Sequence, residues 1–225
     1  MNAMVNVLKW GKVLCIAVCG ILLWCGGRAM AVVTTSKEYI EAKKVAITFD
    51  DGPNPEYTER LLDGLKERNV KATFFLIGKE VKEYPEIVKR ISDEGHLIGN
   101  HTYEHVNLCE IDCDQVKWQV EQTNDAIYEV TGERPMYIRP PYGCWNKQME
   151  EETGMLEILW NVDPRDWDCK DSGVLIDRVL KQVQNDSIIL FHDASASSVD
   201  AALSVVDILT ERGYEFVGAD ELLYE

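Results

Sequence analysis

Two kinds of hydrophobic pattern alternate along most of this chain. Short, nearly continuous apolar runs occur at KVAITFD (44–50), KATFFLI (71–77), HLIGNH (96–101), MYIRP (136–140), LEILWNVD (156–163), SIILFHD (187–193) and YEFVGA (214–219). Each is short enough for a strand, and the lack of apolar–polar alternation marks strands covered on both faces. Between them, residues 55–68, 79–93, 114–131, 174–184 and 198–212 carry the helical period. In the first of these, Tyr57, Leu61, Leu62 and Leu65 share one face. Strands that alternate with helices imply parallel pairing through crossovers. The predicted class is α/β: a distorted (β/α) barrel, closed or incomplete, of about seven parallel strands. No internal repeat or low-complexity stretch interrupts it.

The polar residues suited to chemistry fall at the C-terminal ends of these strands: Asp50, Asp51, His101, Arg139, Asp163 and His192. Barrels of parallel strands build their sites at that face, so separate loops are expected to deliver these side chains to one mouth.

The first 31 residues break the pattern. They hold Lys9, Lys12 and Arg28 but no acid, and VLCIAVCGILLWC (13–25) carries no charge. A basic start, a short apolar run and the small-x-small triplet Ala29-Met30-Ala31 read as a secretory signal peptide. The run falls short of the roughly 20 residues of a comfortable membrane span. Extension through Gly26 and Gly27 makes an uncleaved N-terminal anchor the alternative. A lipoprotein signal is disfavoured, because Trp24 precedes Cys25 where a small residue is expected. Residues 32–42 read as a polar linker, and 43–225 as one catalytic domain.

Charge and cysteines narrow the partners. The 225 residues carry a formal charge of −16. Without residues 1–31 there remain 20 basic and 39 acidic side chains, a charge of −19. Such a surface repels phosphates and argues against nucleic acid. Contact with a membrane is expected only through the N-terminal segment, if it is retained. Cys109, Cys113, Cys144 and Cys169 fall in the domain, an even number that permits two disulfides in an exported protein. No Cys-x-x-Cys pair supports a zinc cluster. With barrel strands in sequential order, Cys144 and Cys169 follow neighbouring strands, so a Cys144–Cys169 bridge is expected, with Cys109–Cys113 as the second pair if a second forms. Four free thiols are the alternative.

His101 and His105 stand four apart in His-Thr-Tyr-Glu-His, a spacing that turns both imidazoles one way on a helical turn. One carboxylate added to them makes a two-histidine, one-carboxylate metal site with open positions. By itself the pair is a weak signal. The carboxylate is offered by Thr-Phe-Asp-Asp-Gly-Pro (48–53), which also reads as a simple turn. Neighbouring strand side chains point to opposite sides, so the two aspartates should take different roles. His96, at the start of its strand, reads as structural.

Taken together, TFDDGP (48–53), HTYEH (101–105), RPPYG (139–143), DPRDW (163–167) and LFH (190–192) resemble, in order, the five motifs of the NodB-homology polysaccharide deacetylases, the family 4 carbohydrate esterases. The similarity covers roughly residues 43–222. It implies Asp50 as catalytic base and Asp51, His101 and His105 as ligands of one divalent ion, zinc or alternatively cobalt. It implies Arg139 as partner of the base and Tyr142 as supplier of an oxyanion-binding backbone N–H. Asp166 then orients the acid His192, while Tyr142, Trp167 and Leu190 line the sugar groove. The expected substrate is an N-acetylated polysaccharide. Intact first and third motifs favour N-acetylglucosamine in peptidoglycan or chitin-like oligomers, with acetyl-xylan as the alternative. A catalytically idle sugar-binding module would be expected to lose a ligand, the base or the acid, and none is lost.

Overall fold

The computed structural model describes residues 14–25, 28–39 and 43–223. The backbone of β1 (Leu14–Cys25) pairs antiparallel with β2 (Arg28–Tyr39), from Leu14 opposite Tyr39 to Cys25 opposite Arg28. Residues 1–31, read above as a signal or anchor, and residues 32–42, read as a linker, fall on this ribbon and on residues outside the described set. A separate compact unit begins at Lys43. Among the described residues no helix is long and apolar enough to cross a membrane.

That second unit contains β3 (Lys43–Asp50), α1 (Thr58–Glu67), β4 (Thr73–Leu76), α2 (Gly78–Glu83), α3 (Pro85–Asp93), β5 (Leu97–Asn100) and α4 (Cys113–Thr131). They are followed by β6 (Tyr137–Ile138), α5 (Lys147–Thr153), β7 (Leu156–Glu157), α6 (Ser172–Gln182), β8 (Ser187–His192), α7 (Ala196–Glu211) and β9 (Tyr214–Phe216). All pairings in the seven-stranded sheet are parallel, in the order β7-β6-β5-β4-β3-β8. Beyond β7 the chain rejoins β8, since Val162 bridges Ile189 and the Leu190 N–H donates to the Val162 carbonyl at 2.9 Å. That bridge closes the barrel. One strand departs from sequential order: β9 pairs with the start of β3, while β4 pairs with its end.

Three local expectations change. The helix expected over 79–93 divides at Pro85, which starts α3. Proline has no N–H to continue a helix and disfavours the helical region for the residue before it, and Tyr84 sits at φ −128°, ψ 56°. α5 is an addition, started by Asn146, whose side chain accepts from the Met149 N–H. The fourth and fifth strands keep only two ladder residues each.

The alternation along β3 sorts its side chains. Val45, Ile47 and Phe49 pack outward against the helices, in a core with Leu61, Leu65, Val88, Ile91, Val179 and Val205. Ala46 joins Phe75, Tyr137, Ile158 and Ala219 in a smaller inner cluster. With a period of two, Thr48 and Asp50 share the inward face with Ala46. The same pleat that buries the helix-facing core therefore aims Asp50 up the inside of the barrel.

Candidate active site

Asp50 ends β3 almost wholly buried, and its charge is answered from β6. Arg139, with no exposed surface, donates from Nη1 to Asp50 Oδ1 at 2.8 Å and to Thr48 Oγ1 at 2.6 Å. Its Nε and Nη2 donate to the carbonyls of Ile158 and Leu159, both at 3.0 Å. The guanidinium also lies over the Phe75 ring, 4.2 Å from its centroid. A buried guanidinium is tolerated only when its donors are met and a counter-charge is near. Here those demands lock the Asp50 carboxylate in place.

One residue on, the chain turns. Asp51 adopts φ 71°, in the left-handed region, which swings its side chain away from that of Asp50. Its Oδ1 lies 3.3 Å from Nε2 of both His101 and His105. The imidazoles do converge, but not from a helical turn. Residues 101–107 form an irregular loop in which Thr102 (φ 64°) and His105 (φ 54°) are also left-handed. Such conformations cost about 1–3 kcal/mol each and persist only when neighbours enforce them. α4 and the end of β5 supply the enforcement. Gln119 Oε1 accepts from the N–H groups of Tyr103 and Glu104, both at 2.9 Å, and Asn100 Oδ1 accepts from the Thr102 N–H at 2.7 Å. Asn100 is held in turn by the Val120 carbonyl and Asn124.

The three donors suit a metal ion. Ligand atoms of Asp51, His101 and His105 all lie within 4.8 Å of one another. His101 Nδ1 is 2.6 Å from the Arg139 carbonyl, so it carries the proton and leaves Nε2 as a bare acceptor facing Asp51. Asp51 Oδ1 is buried without a well-formed hydrogen bond. Three such side chains converging on one point offer a cation the donors it needs. Burial alone would raise the Asp51 pKa, yet the facing His101, with His192 and His105, holds it at about 2. Burial lowers the pKa of His105, offset in part by Asp51, which favours the neutral, ligating imidazole.

Across the mouth, His192 ends β8. Its Nδ1 is 2.8 Å from Asp166 Oδ1, and its backbone N–H donates to Asp166 Oδ2 at 2.8 Å. Burial opposes charge on His192, but the Asp166 hydrogen bond and charge, helped by Asp50 and Asp51, raise its pKa to about 9. The imidazole is thus a cation at neutral pH. A cavity of about 730 Å³ joins these groups. Of the ten residues to which the five motifs gave roles, nine line it, as does Asp163; Arg139 supports it from within the barrel. Trp167 and Tyr142 project into solvent at its rim, 64% and 71% exposed, and Leu190 is buried in its wall. His96 is structural, its Nδ1 accepting from the Ala72 N–H at 3.1 Å against the edge of Phe74.

Several lining residues escaped the sequence reading: Trp160, Lys170, Ser195 and Ser198. None belongs to a polar strand end, and their loops meet the mouth only after folding. Asp193 escaped as well. It directly follows His192, which was the available signal. It is fully buried, accepts from the Thr58 hydroxyl, and packs against Gly52 in the turn that carries Asp51.

The disulfide expectation is overturned. Cys109 bonds Cys144, with Cα atoms 6.0 Å apart, while Cys113 is exposed and Cys169 half-buried, both as free thiols. β5 and β6 are neighbours, so the loops that follow them meet at the mouth and bring Cys109 to Cys144. The chain after β7 instead leaves β6 to rejoin β8, carrying Cys169 to the base of α6, where it packs at the margin of the helix-facing core.

A family model described as Polysaccharide deacetylase matches residues 37–158. The chain belongs to the polysaccharide deacetylase family. It is 42% identical over 186 residues to peptidoglycan-N-acetylglucosamine deacetylase PgdA of Listeria monocytogenes, covering 81% of this chain and 39% of that protein. It is 39% identical over 180 residues to peptidoglycan-N-acetylmuramic acid deacetylase PdaC of Bacillus subtilis, covering 80% and 38%. The chain therefore spans about two fifths of the length of these two relatives. The solved structure of PdaC superposes with a TM-score of 0.78 over 80% of this chain and 90% of that one. A wild-type Bacillus anthracis protein described as a CE4 family pseudoenzyme superposes with a TM-score of 0.76 at 33% identity, over 81% and 66%. The deacetylase scaffold is thus common to proteins described as active and as inactive, and the side chains at the mouth have to discriminate between them.

Proposed function

We propose that this chain is a metal-dependent hydrolase that removes N-acetyl groups from cell-wall polysaccharide, with N-acetylglucosamine of peptidoglycan as the favoured unit. The observation that carries this reading is the arrangement around one cavity. A two-histidine, one-carboxylate cluster stands between a carboxylate fixed by Arg139 and an imidazolium fixed by Asp166. An idle scaffold has no need to keep both fixed groups beside an intact ligand set.

Amide hydrolysis needs an activated water, stabilisation of the oxygen charge and a proton for the departing nitrogen. Asp51, His101 and His105 would hold one divalent ion, zinc or alternatively cobalt, which would supply carbonyl polarisation and lower the pKa of the attacking water. Asp50, held in place by Arg139, accepts the proton of the water that attacks the acetamide carbon. The Tyr142 backbone N–H donates to the oxygen that gains charge, a contribution of about 3–4 kcal/mol for one such donor. His192 gives its Nε2 proton to the amine as the carbon–nitrogen bond breaks, and Asp166 stabilises the cation until then. Acetate and a free amine leave. Trp167 and Leu190 offer the sugar ring an aromatic and an aliphatic wall.

The names of the relatives divide between the glucosamine and muramic acid units. The intact TFDDGP and RPPYG motifs support the former. Residues 1–31 direct export or anchor the domain at the cell surface, where such a polymer lies. Acetate release from peptidoglycan, chitin oligomers and acetyl-xylan by the zinc- or cobalt-loaded protein tests the reading. N-acetylglucosamine polymers should be cleaved. Release from acetyl-xylan alone would move the assignment to an esterase, and no release from any substrate by protein with stoichiometric metal would reject it.

A further inference from the structure

Thr102, Tyr103 and Glu104 lie between the two histidines of the ligand cluster, and their backbone polar groups are gripped from outside the loop. The Thr102 and Tyr103 carbonyls accept from the first N–H groups of α2, Gly78 at 2.9 Å and Lys79 at 3.2 Å. α2 lies so close that a Cβ on Gly78 would stand 2.5 Å from the Tyr103 ring and 2.6 Å from Thr123 Oγ1 of α4. The Thr102 N–H goes to Asn100. Both remaining N–H groups, of Tyr103 and Glu104, go to one side-chain oxygen, Gln119 Oε1.

Gln119 is buried two turns into α4 and belongs to none of the five motifs. Its amide is used at both ends. Oε1 takes the two N–H groups, and Nε2 donates to Glu104 Oε2 at 2.8 Å. Backbone N–H groups can only donate and an ionised carboxylate can only accept, so these partners fix which way the amide points.

We propose that Gln119 is a positioning residue for the metal site, and that its latch with Glu104 sets the affinity for the ion. This role rests on the metal-binding reading given above and deepens it. His101 and His105 bring Nε2 to one carboxylate oxygen from a loop in which Thr102 and His105 are left-handed. Such backbone persists only under enforcement. Without the Gln119 oxygen, two N–H groups must find other partners, and the loop that holds both imidazoles moves to supply them. Groups that orient metal ligands from behind typically matter 10–100-fold to affinity. Glu104 extends the grip. It draws the amide towards the same loop whose N–H groups the amide holds, so neither side chain turns away without breaking the other's bond.

The test is zinc titration of the full chain against a competing chelator, beside urea unfolding of the metal-free proteins. Gln119→Met keeps the side-chain length and helix propensity and removes both ends of the latch. It should bind zinc about 10–100-fold more weakly. Gln119→Glu sets a second carboxylate against Glu104, and should weaken binding although its added negative charge by itself favours a cation. Gln119→Glu/Glu104→Gln exchanges the amide and the carboxylate. It restores the wild-type charge and all three hydrogen bonds, and should return zinc affinity to within about threefold of wild type. Packing alone cannot produce that recovery. Variants that lose stability yet keep wild-type zinc affinity, or a double variant that binds no more tightly than Gln119→Glu, overturn the proposal while leaving the metal site standing. A wild type that binds neither zinc nor cobalt rejects the metal reading itself, and this role with it.

Discussion

Gly52 offers a test of how the aspartate turn is held. Its backbone lies outside the left-handed region, so an alanine there is conformationally acceptable. The obstacle is steric. An added Cβ would stand 2.9 Å from Oδ2 and 3.1 Å from Oδ1 of Asp193. That carboxyl group cannot retreat freely. It is buried, and it accepts from the Thr58 hydroxyl, whose oxygen in turn accepts from the Asn54 N–H at 2.7 Å. Overpacking of this kind costs about 1–3 kcal/mol. Loss of glycine entropy from the unfolded chain returns about 0.4–1 kcal/mol. Gly52→Ala should therefore destabilise the protein by about 1–2 kcal/mol in urea unfolding. It should also weaken zinc binding, because the strained residue adjoins Asp51. Asp193→Ala removes the obstacle at its own cost, and the double variant should be more stable than the sum of the singles predicts by about 1 kcal/mol or more. Additivity within about 0.5 kcal/mol, or a Gly52→Ala protein more stable than wild type, would refute the reasoning.

His101→Ala should abolish stoichiometric zinc binding, whereas Asp50→Asn and His192→Ala should keep the metal and lose about 10²–10⁴-fold in kcat, as read by metal analysis beside acetate release. In metal-free protein the pKa of His192 is raised to about 9 by Asp166. Its stabilisation is thus complete below the ordinary histidine value of about 6.5 and is lost as pH rises through 9. Asp166→Asn should move the His192 NMR titration down and remove that stability, and a titration still centred near 9 would contradict the assignment. Peptide mapping without reductant should return a Cys109–Cys144 link with Cys113 and Cys169 alkylatable. Since the bridge spans 35 residues, chain entropy gives it about 4 kcal/mol, lost in a Cys109→Ser/Cys144→Ser variant.

Much of this protein was legible in its order of residues. Buried parallel strands need continuous apolar runs, so the strand positions and the α/β class follow from the hydrophobic pattern alone. Strand ends are where a barrel presents its loops, so Asp50, His101, Arg139 and His192 announced one mouth before any coordinates. The five motifs brought in Asp51, His105, Tyr142, Asp166, Trp167 and Leu190 as well. Tertiary structure decided what depends on which loops become neighbours. The chain after β7 crosses from β6 to β8, which closes the barrel and separates Cys169 from Cys144, while the adjacency of β5 and β6 pairs Cys109 with Cys144. His101 and His105 face one atom because Gln119 and Asn100 hold their loop in left-handed backbone, a conformation their spacing does not encode. Asp193 adjoins His192 in the chain, but its place beneath the aspartate turn depends on Thr58 and Gly52, segments distant in sequence. Periodicity records which face of an element is buried; it carries no record of what that face is buried against.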